Sequence, residues 1–199
     1  MVAVSGETLG ITSLKVLRRK MLASTEGRQI LAERPVINST TIDFEYLERL
    51  PEHTFGSRYV QFMKHHNITS DSRSPVKYID DAELAYVMLR YRQIHDFTHV
   101  LLGLSINVSS EVLVKAFEAA QTNILMCWGA TLAGPLIVGP KHRRRYLERD
   151  MKWALTNGWN SKLLMNVYFE KRFEQPIDDL RAELNIKPYP STKAEQTPV

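Results

Sequence analysis

Cysteine is nearly absent: Cys127 is the single one in 199 residues, so no disulfide can form within the chain. That argues against a disulfide-framed secreted domain and fits a reducing compartment such as cytosol or matrix. Also missing is an apolar run long enough to cross a bilayer. The most apolar stretch, Ile124 to Gly139, is 16 residues with Gly129, Gly134 and Pro135 inside it. It falls short of the ~20 residues a span requires and predicts a buried or membrane-surface helix. No segment alternates apolar and polar residues cleanly enough for a half-buried strand. No solenoid repeat appears, and no low-complexity block precedes the C-terminal end. Met1 to Gly10 has neither the basic and apolar regions of a secretory signal nor the Arg-rich look of a transit peptide. Charge of one sign is scarce too: 26 Lys and Arg against 22 Asp and Glu leave a net +4 and a pI near 9.2. This excess favours an anionic partner without naming one.

What is present is a globular composition, 44% hydrophobic and 24% charged, which predicts one packed domain. The i, i+3, i+4 pattern recurs throughout, so the expected fold is all-α: a single compact multi-helix domain over 1–186. A flexible C-terminal tail is expected over 187–199, where PYPSTKAEQTPV lacks apolar residues to bury. Three short helices open the chain at Ser13 to Ala23, Gln29 to Arg34 and Asp43 to Leu50, and a fourth runs from Ser57 to His66. Asn67 to Pro75 reads as a polar loop. Asp80-Asp81-Ala82-Glu83 resembles a capping box opening a long helix from about Asp81 to Leu102, ended by Gly103 in left-handed geometry. Asn107 and Ser109 are ready caps for the next helix, placing Glu111 in its first turn. Asn157-Gly158 predicts a helix stop, with further helices over Ser161 to Phe173 and Ile177 to Ile186.

The chemistry concentrates in His95-Asp96-Phe97-Thr98-His99, followed eleven residues later by Glu111. Imidazoles at i and i+4 stand one turn apart on one helix face and can converge on a single ion. Asp96, about 100° around the helix, reaches the edge of that face. In one continuous helix Glu111 would lie some 18 Å beyond His99, but the break at Gly103 lets a second helix fold back and return it. Two buried histidines and an aspartate are costly unless a cation compensates them, so the spacing predicts a metal site. An HExxH zinc protease shares the histidine spacing, but Asp96 is a methylene too short for the general base. An HD-type phosphohydrolase would need His65 or His66 together with Asp150, at spacings that nothing here constrains.

HDFTHVLLG with Glu111, preceded by DDAELAYVMLRYRQI and followed by NGWNSKLLMNVYFEKRFEQPIDDLRAELNI, resembles the fourth coenzyme Q (ubiquinone) biosynthesis protein family. GETLG, AERPVI and LPEHTFGSRY resemble it too, so the likeness covers Met1 to Ile186. The resemblance implies an all-helical peripheral protein on the matrix side of the mitochondrial inner membrane, working in a complex with other ubiquinone enzymes. It implies a divalent metal, usually assigned as zinc, held by His95, Asp96, His99 and Glu111. It implies removal of the C1 carboxylate of 4-hydroxy-3-methoxy-5-polyprenylbenzoate, coupled to hydroxylation at that carbon. Mitochondrial members carry a leader, whereas this sequence begins at the core.

A two-histidine, one-carboxylate set suits ferrous iron as well as zinc. A polyprenyl tail needs an apolar channel, for which Ile124 to Ile137 with Val112, Val114 and Phe117 are candidates. Lys141-His142-Arg143-Arg144-Arg145 beside that apolar stretch suits an anionic membrane surface. A homodimer is compatible with the sequence, and no nucleic-acid module is present. The competing reading is a non-catalytic lipid-binding scaffold: outside the ligands no nucleophile or base is evident, and Cys127 lies in apolar sequence that would keep its thiol inert.

Overall fold

The structure, a computed structural model, describes residues 10–71 and 75–190. Its elements are α1 (Ile11–Ala23), α2 (Thr25–Glu33), α3 (Phe44–Arg49), α4 (Phe55–His66), α5 (Ala82–Gln93), α6 (His95–Leu102), α7 (Val108–Thr122), α8 (Leu125–Ile137) and α9 (Gly139–Arg145). A π-helical turn over Tyr146–Asp150 leads into α10 (Met151–Asn160), and two 3-10 turns, Leu164–Asn166 and Phe169–Lys171, precede α11 (Ile177–Leu184). No strand forms among the described residues; Thr54 and Pro176 make an isolated bridge.

Local chemistry sets most boundaries. Side chains of Ser24, Asp43, Thr54, Asp81 and Asn107 accept backbone N–H groups at the starts of α2, α3, α4, α5 and α7, satisfying donors that a helix start leaves free. Glu83 does not complete the expected box; its carboxylate accepts from Arg18 at 2.9 Å instead. The expected long helix is two segments. Thr98 Oγ1 donates back to the Ile94 carbonyl at 3.0 Å, a bond that bends helices, and Ile94 flattens to φ −79°, ψ −3°.

The core gathers around Phe97, which is fully buried and meets Tyr59 at 4.6 Å, Phe169 at 5.1 Å and Phe55 at 5.2 Å between ring centroids. Positions two apart on a helix point about 200° from one another. Phe97 therefore anchors α6 in the aromatic cluster while turning His95 and His99 to the opposite side. The C-terminal block is tied to α5 through Arg90, fully buried, whose guanidinium pairs with Glu170 and donates to the Val167 carbonyl at 3.0 Å.

Three expectations need correction. Gly158 does not stop a helix but lies inside α10, where a Cβ would stand 2.6 Å from the Phe117 carbonyl oxygen; it is glycine because α7 and α10 approach so closely there. Ser161 to Phe173 forms no continuous helix: Tyr168 N–H bonds Glu26 at 2.9 Å and the Val167 carbonyl serves Arg90, so side-chain partners replace the helical ladder. Residues 187–190, expected with the tail, pack on the body, with Tyr189 N–H donating to the Leu102 carbonyl at 2.7 Å and its hydroxyl to Asp150 at 2.8 Å. Residues 191–199 and Met1 to Leu9 lie outside the described residues.

Candidate metal centre

The turn between α6 and α7 builds the site. Gly103 takes φ +67°, its N–H bonding the Val100 carbonyl at 3.2 Å and that of Leu104 the His99 carbonyl at 3.0 Å. This left-handed double bond closes α6, and the Asn107 cap opens α7 so that Glu111 returns beside the histidines.

His95 Nε2 stands 3.3 Å from His99 Nε2, 3.4 Å from one Glu111 oxygen, and the other Glu111 oxygen lies 3.2 Å from His99 Nε2. Ligand atoms about 2.0–2.1 Å from a tetrahedral centre stand about 3.3 Å apart, the spacing found here. The protonation pattern points the same way. His99 Nδ1 donates to the Leu104 carbonyl at 3.2 Å, and His95 Nδ1 faces Glu118 Oε1 at 2.6 Å. In the neutral imidazoles, with the protons on both Nδ1 atoms, two Nε2 lone pairs and a carboxylate converge with no donor among them, an arrangement that either a proton or a cation relieves. His95, His99 and Glu111 thus fit a divalent metal by donor type, spacing and tautomer. Both histidines are buried, whereas the Glu111 side chain is 39% exposed and opens the site at one edge.

Asp96, the fourth residue of the motif, is buried on α6 but does not join these three. Neither do His65, His66 and Asp150: His66 Nε2 accepts from Ile106 N–H at 3.3 Å and Asp150 is engaged by Tyr189, so the phosphohydrolase constellation does not form among the described residues.

Behind His95 lies a polar network that the sequence did not disclose. Glu118 is buried and receives Lys115 Nζ at 2.6 Å and the Tyr91 hydroxyl at 2.7 Å; Tyr91 Oη also lies 3.0 Å from Cys127 Sγ. Burial works against charge on Glu118, but Lys115 and then His95 outweigh it and hold the carboxyl well below the usual range. Burial and Lys115 likewise oppose a charged His95, yet Glu118 and Glu111 keep its pKa raised. Burial, with Glu118 adding to it, pushes the Cys127 thiol up to about 12, the direction expected of an unreactive thiol, though its surroundings are polar rather than purely apolar. A signal existed, since Glu111, Lys115 and Glu118 recur at i, i+4 and i+7 and share one stripe of α7.

The expected tail channel is not lined as the sequence suggested. Val112, Val114 and Phe117 are packed in the core, and Leu132 and Leu136 point outward. A cavity of about 330 Å³ lies instead between α4, α7, α9 and the C-terminal segment, lined by Phe62, Leu113, Val138, Tyr146, Asp150 and Tyr189 among others. Phe62 also packs on the His99 ring, centroids 5.7 Å apart, so cavity and donor group share a wall.

Fold and site together define an all-helical protein with a His-His-Glu group of metal-binding spacing, its histidines buried and its glutamate partly exposed. The chain belongs to the family described as "Coenzyme Q (ubiquinone) biosynthesis protein Coq4", whose profile matches residues 1–190. It is 50% identical over 187 residues to the "Ubiquinone biosynthesis protein COQ4 homolog 1, mitochondrial" of Culex quinquefasciatus, spanning 94% of this chain and 68% of that protein. The COQ4 homolog of Bombyx mori, also named mitochondrial, is 48% identical across 94% of this chain and 72% of its own length. A solved structure from Nostoc punctiforme PCC 73102 shares the fold, with a TM-score of 0.69 at 20% identity over 86% of this chain and 80% of that one. Family membership gives the chain a role in ubiquinone biosynthesis. No helix among the described residues is long and apolar enough to cross a membrane.

Proposed function

We propose that this protein is a metal-dependent lyase that removes the C1 carboxylate of 4-hydroxy-3-methoxy-5-polyprenylbenzoate, with hydroxylation at C1 coupled to that step. The observation that carries the reading is the donor set: two imidazole lone pairs and one carboxylate converge with one edge open, where a structural ion would be closed by protein ligands. That openness favours catalysis over the scaffold. A divalent ion held by His95, His99 and Glu111, zinc or ferrous iron, supplies Lewis acidity toward the substrate's oxygens and, as iron, access to dioxygen chemistry.

The chain's own residues do the rest. Glu118 and the Leu104 carbonyl fix the two imidazole tautomers; Phe62 and Leu113 give the adjoining cavity apolar walls for an aromatic ring. The para oxygen donates electron density to C1, where a proton or dioxygen bonds; the C1–carboxylate bond then breaks, carbon dioxide leaves, and the pair from that bond stays in the ring. With a proton the product carries hydrogen at C1; with dioxygen, itself the oxidant of the ring, C1 keeps one oxygen, the other leaves as water and the ring ends as the para-quinone, so the C1 substituent records which. We keep Asp96, which lies on α6 outside the three converging donors, in the proposed catalytic set with His95, His99 and Glu111; Asp96→Asn should lower turnover, and unchanged turnover would remove it from the set. We place the protein peripherally on the matrix side of the mitochondrial inner membrane, among other ubiquinone enzymes, in keeping with the mitochondrial names of its relatives.

The test is single turnover in air with a short-tailed 4-hydroxy-3-methoxy-5-prenylbenzoate, comparing metal-analysed wild type with His99→Ala by mass spectrometry. Product tracking metal occupancy supports the enzyme. Turnover by metal-free protein refutes the scheme, and no turnover by metal-loaded protein moves the assignment to the scaffold.

A further inference from the structure

Helix α8 is turned inside out. Its core-facing side carries Cys127, Thr131 and Gly134, while Leu125, Leu132, Leu136 and Ile137 on the outer side are 57%, 75%, 77% and 45% exposed. The small inner face has a cause: the Tyr146 ring lies across Gly134, where a Cβ would meet it at 2.4 Å, and its hydroxyl donates to the Thr131 carbonyl at 2.8 Å. The leucines outside have no such explanation within the described residues. Gly129, on the same outer line, has nothing within 4 Å of where a Cβ would stand. An aliphatic stripe this continuous is uncommon on a surface that meets only water.

The residues after the stripe are basic. The chain turns at Gly139, φ +74°, into α9, whose Lys141, His142, Arg143 and Arg144 are exposed. Arg143 folds back to donate to the Pro135 carbonyl at 2.9 Å, holding the basic helix against the apolar one. A two-fold contact with a second copy that set the two α8 helices parallel would bring two such cationic clusters together, which like-charge repulsion disfavours, and an antiparallel one would leave both clusters without an anionic partner. A bilayer with acidic headgroups matches both halves, taking the leucines at its acyl boundary and the cations in its headgroup layer.

We propose that the outer face of α8 with the basic helix α9 is a docking surface for an anionic lipid bilayer, with α8 lying flat on it over about 20 Å. This names the elements behind the peripheral membrane placement above and rests on that placement. It does not depend on the decarboxylation, since its assay contains no substrate.

The test is flotation of the purified full chain with vesicles of phosphatidylcholine alone or mixed with phosphatidylglycerol, at low and high salt. Wild type should bind the mixed vesicles and release as salt rises. Lys141→Gln with Arg144→Gln should weaken binding about 25-fold, at roughly fivefold per cation. Leu132→Glu with Leu136→Glu should abolish binding while leaving circular dichroism and Tm unchanged. Leu22→Glu, at an exposed apolar position on α1, should bind as wild type does. The proposal is overturned by wild type failing to bind mixed vesicles, or by the double Glu variant binding normally. It is equally overturned if mass photometry shows wild-type dimers that this variant dissociates without loss of vesicle binding, because α8 would then be a subunit interface.

Discussion

Glu118 lies behind His95, outside the three converging donors, yet its replacement should weaken metal binding. Its carboxylate accepts from His95 Nδ1 at 2.6 Å and from Lys115 at the same distance, so it orients the proposed ligand His95 and neutralises a largely buried ammonium together. Removing a partner that orients a ligating histidine typically weakens metal binding 10–100-fold, or about 1.4–2.7 kcal/mol. Breaking the pair with Lys115 adds a stability cost of about 3 kcal/mol, at the lower end for buried pairs, because the lysine side chain is 20% exposed and water reaches it. Glu118→Gln keeps an acceptor for His95 and loses the charge, so it should bind zinc 10–100-fold more weakly by competitive titration and melt at a lower temperature. Adding Lys115→Met removes the stranded cation and should restore much of the melting temperature without restoring affinity. That split separates the effect of the carboxylate charge on His95 from fold stability. A Glu118→Gln protein binding zinc within about threefold of wild type would refute the argument, since it demands at least tenfold.

Neighbouring features set other outcomes. Gly134→Ala should lower stability by about 1–3 kcal/mol through overpacking against Tyr146, whereas Gly129→Ala, facing open space on the same helix, should be neutral or slightly stabilising; thermal melts of the pair decide it. Cys127, buried and with its pKa near 12, should resist iodoacetamide at pH 8 in the native protein and react fully in denaturant; native-state labelling would mean the network opens readily. His95 has a folded-state pKa raised above 6.5 in the metal-free protein, so its proton contributes stability fully below pH 6.5 that is lost as pH rises through the raised value. Bound metal must displace that proton, so the rise in Tm on adding zinc should grow across the same window; a shift that shrinks with rising pH contradicts the donor assignment.

The parts legible in the sequence were those decided within a few residues. Asp81 and Asn107 cap their helices as their side chains dictate, Gly103 takes the left-handed turn, and Glu111 comes back to His95 and His99 as the break required. What escaped depended on distant partners. Gly158 looks like a stop until the Phe117 carbonyl is seen against it, and Val167 and Tyr168 leave the helical ladder because Arg90 and Glu26 lie far away in sequence. The facing of α8 was unreadable for a different reason: a stretch apolar all round has no preferred side, and only Tyr146 decides which side turns inward. Glu118 shares a stripe with Glu111 and Lys115, but a charged residue on a helix is so often solvated that nothing in the string marked it as buried.

His95, His99, Glu111 and Glu118 all fall within one helix–turn–helix segment. An ion held there clips a hairpin of neighbouring elements, closing a loop of about a dozen residues at small entropic cost, and does not staple distant parts of the chain together. Withdrawing it should therefore loosen a region before it loosens the molecule. In hydrogen exchange, amides from Gly103 to Glu111 should be the first to lose protection under chelation, while those around Phe97 and Phe169 keep the rate of global opening.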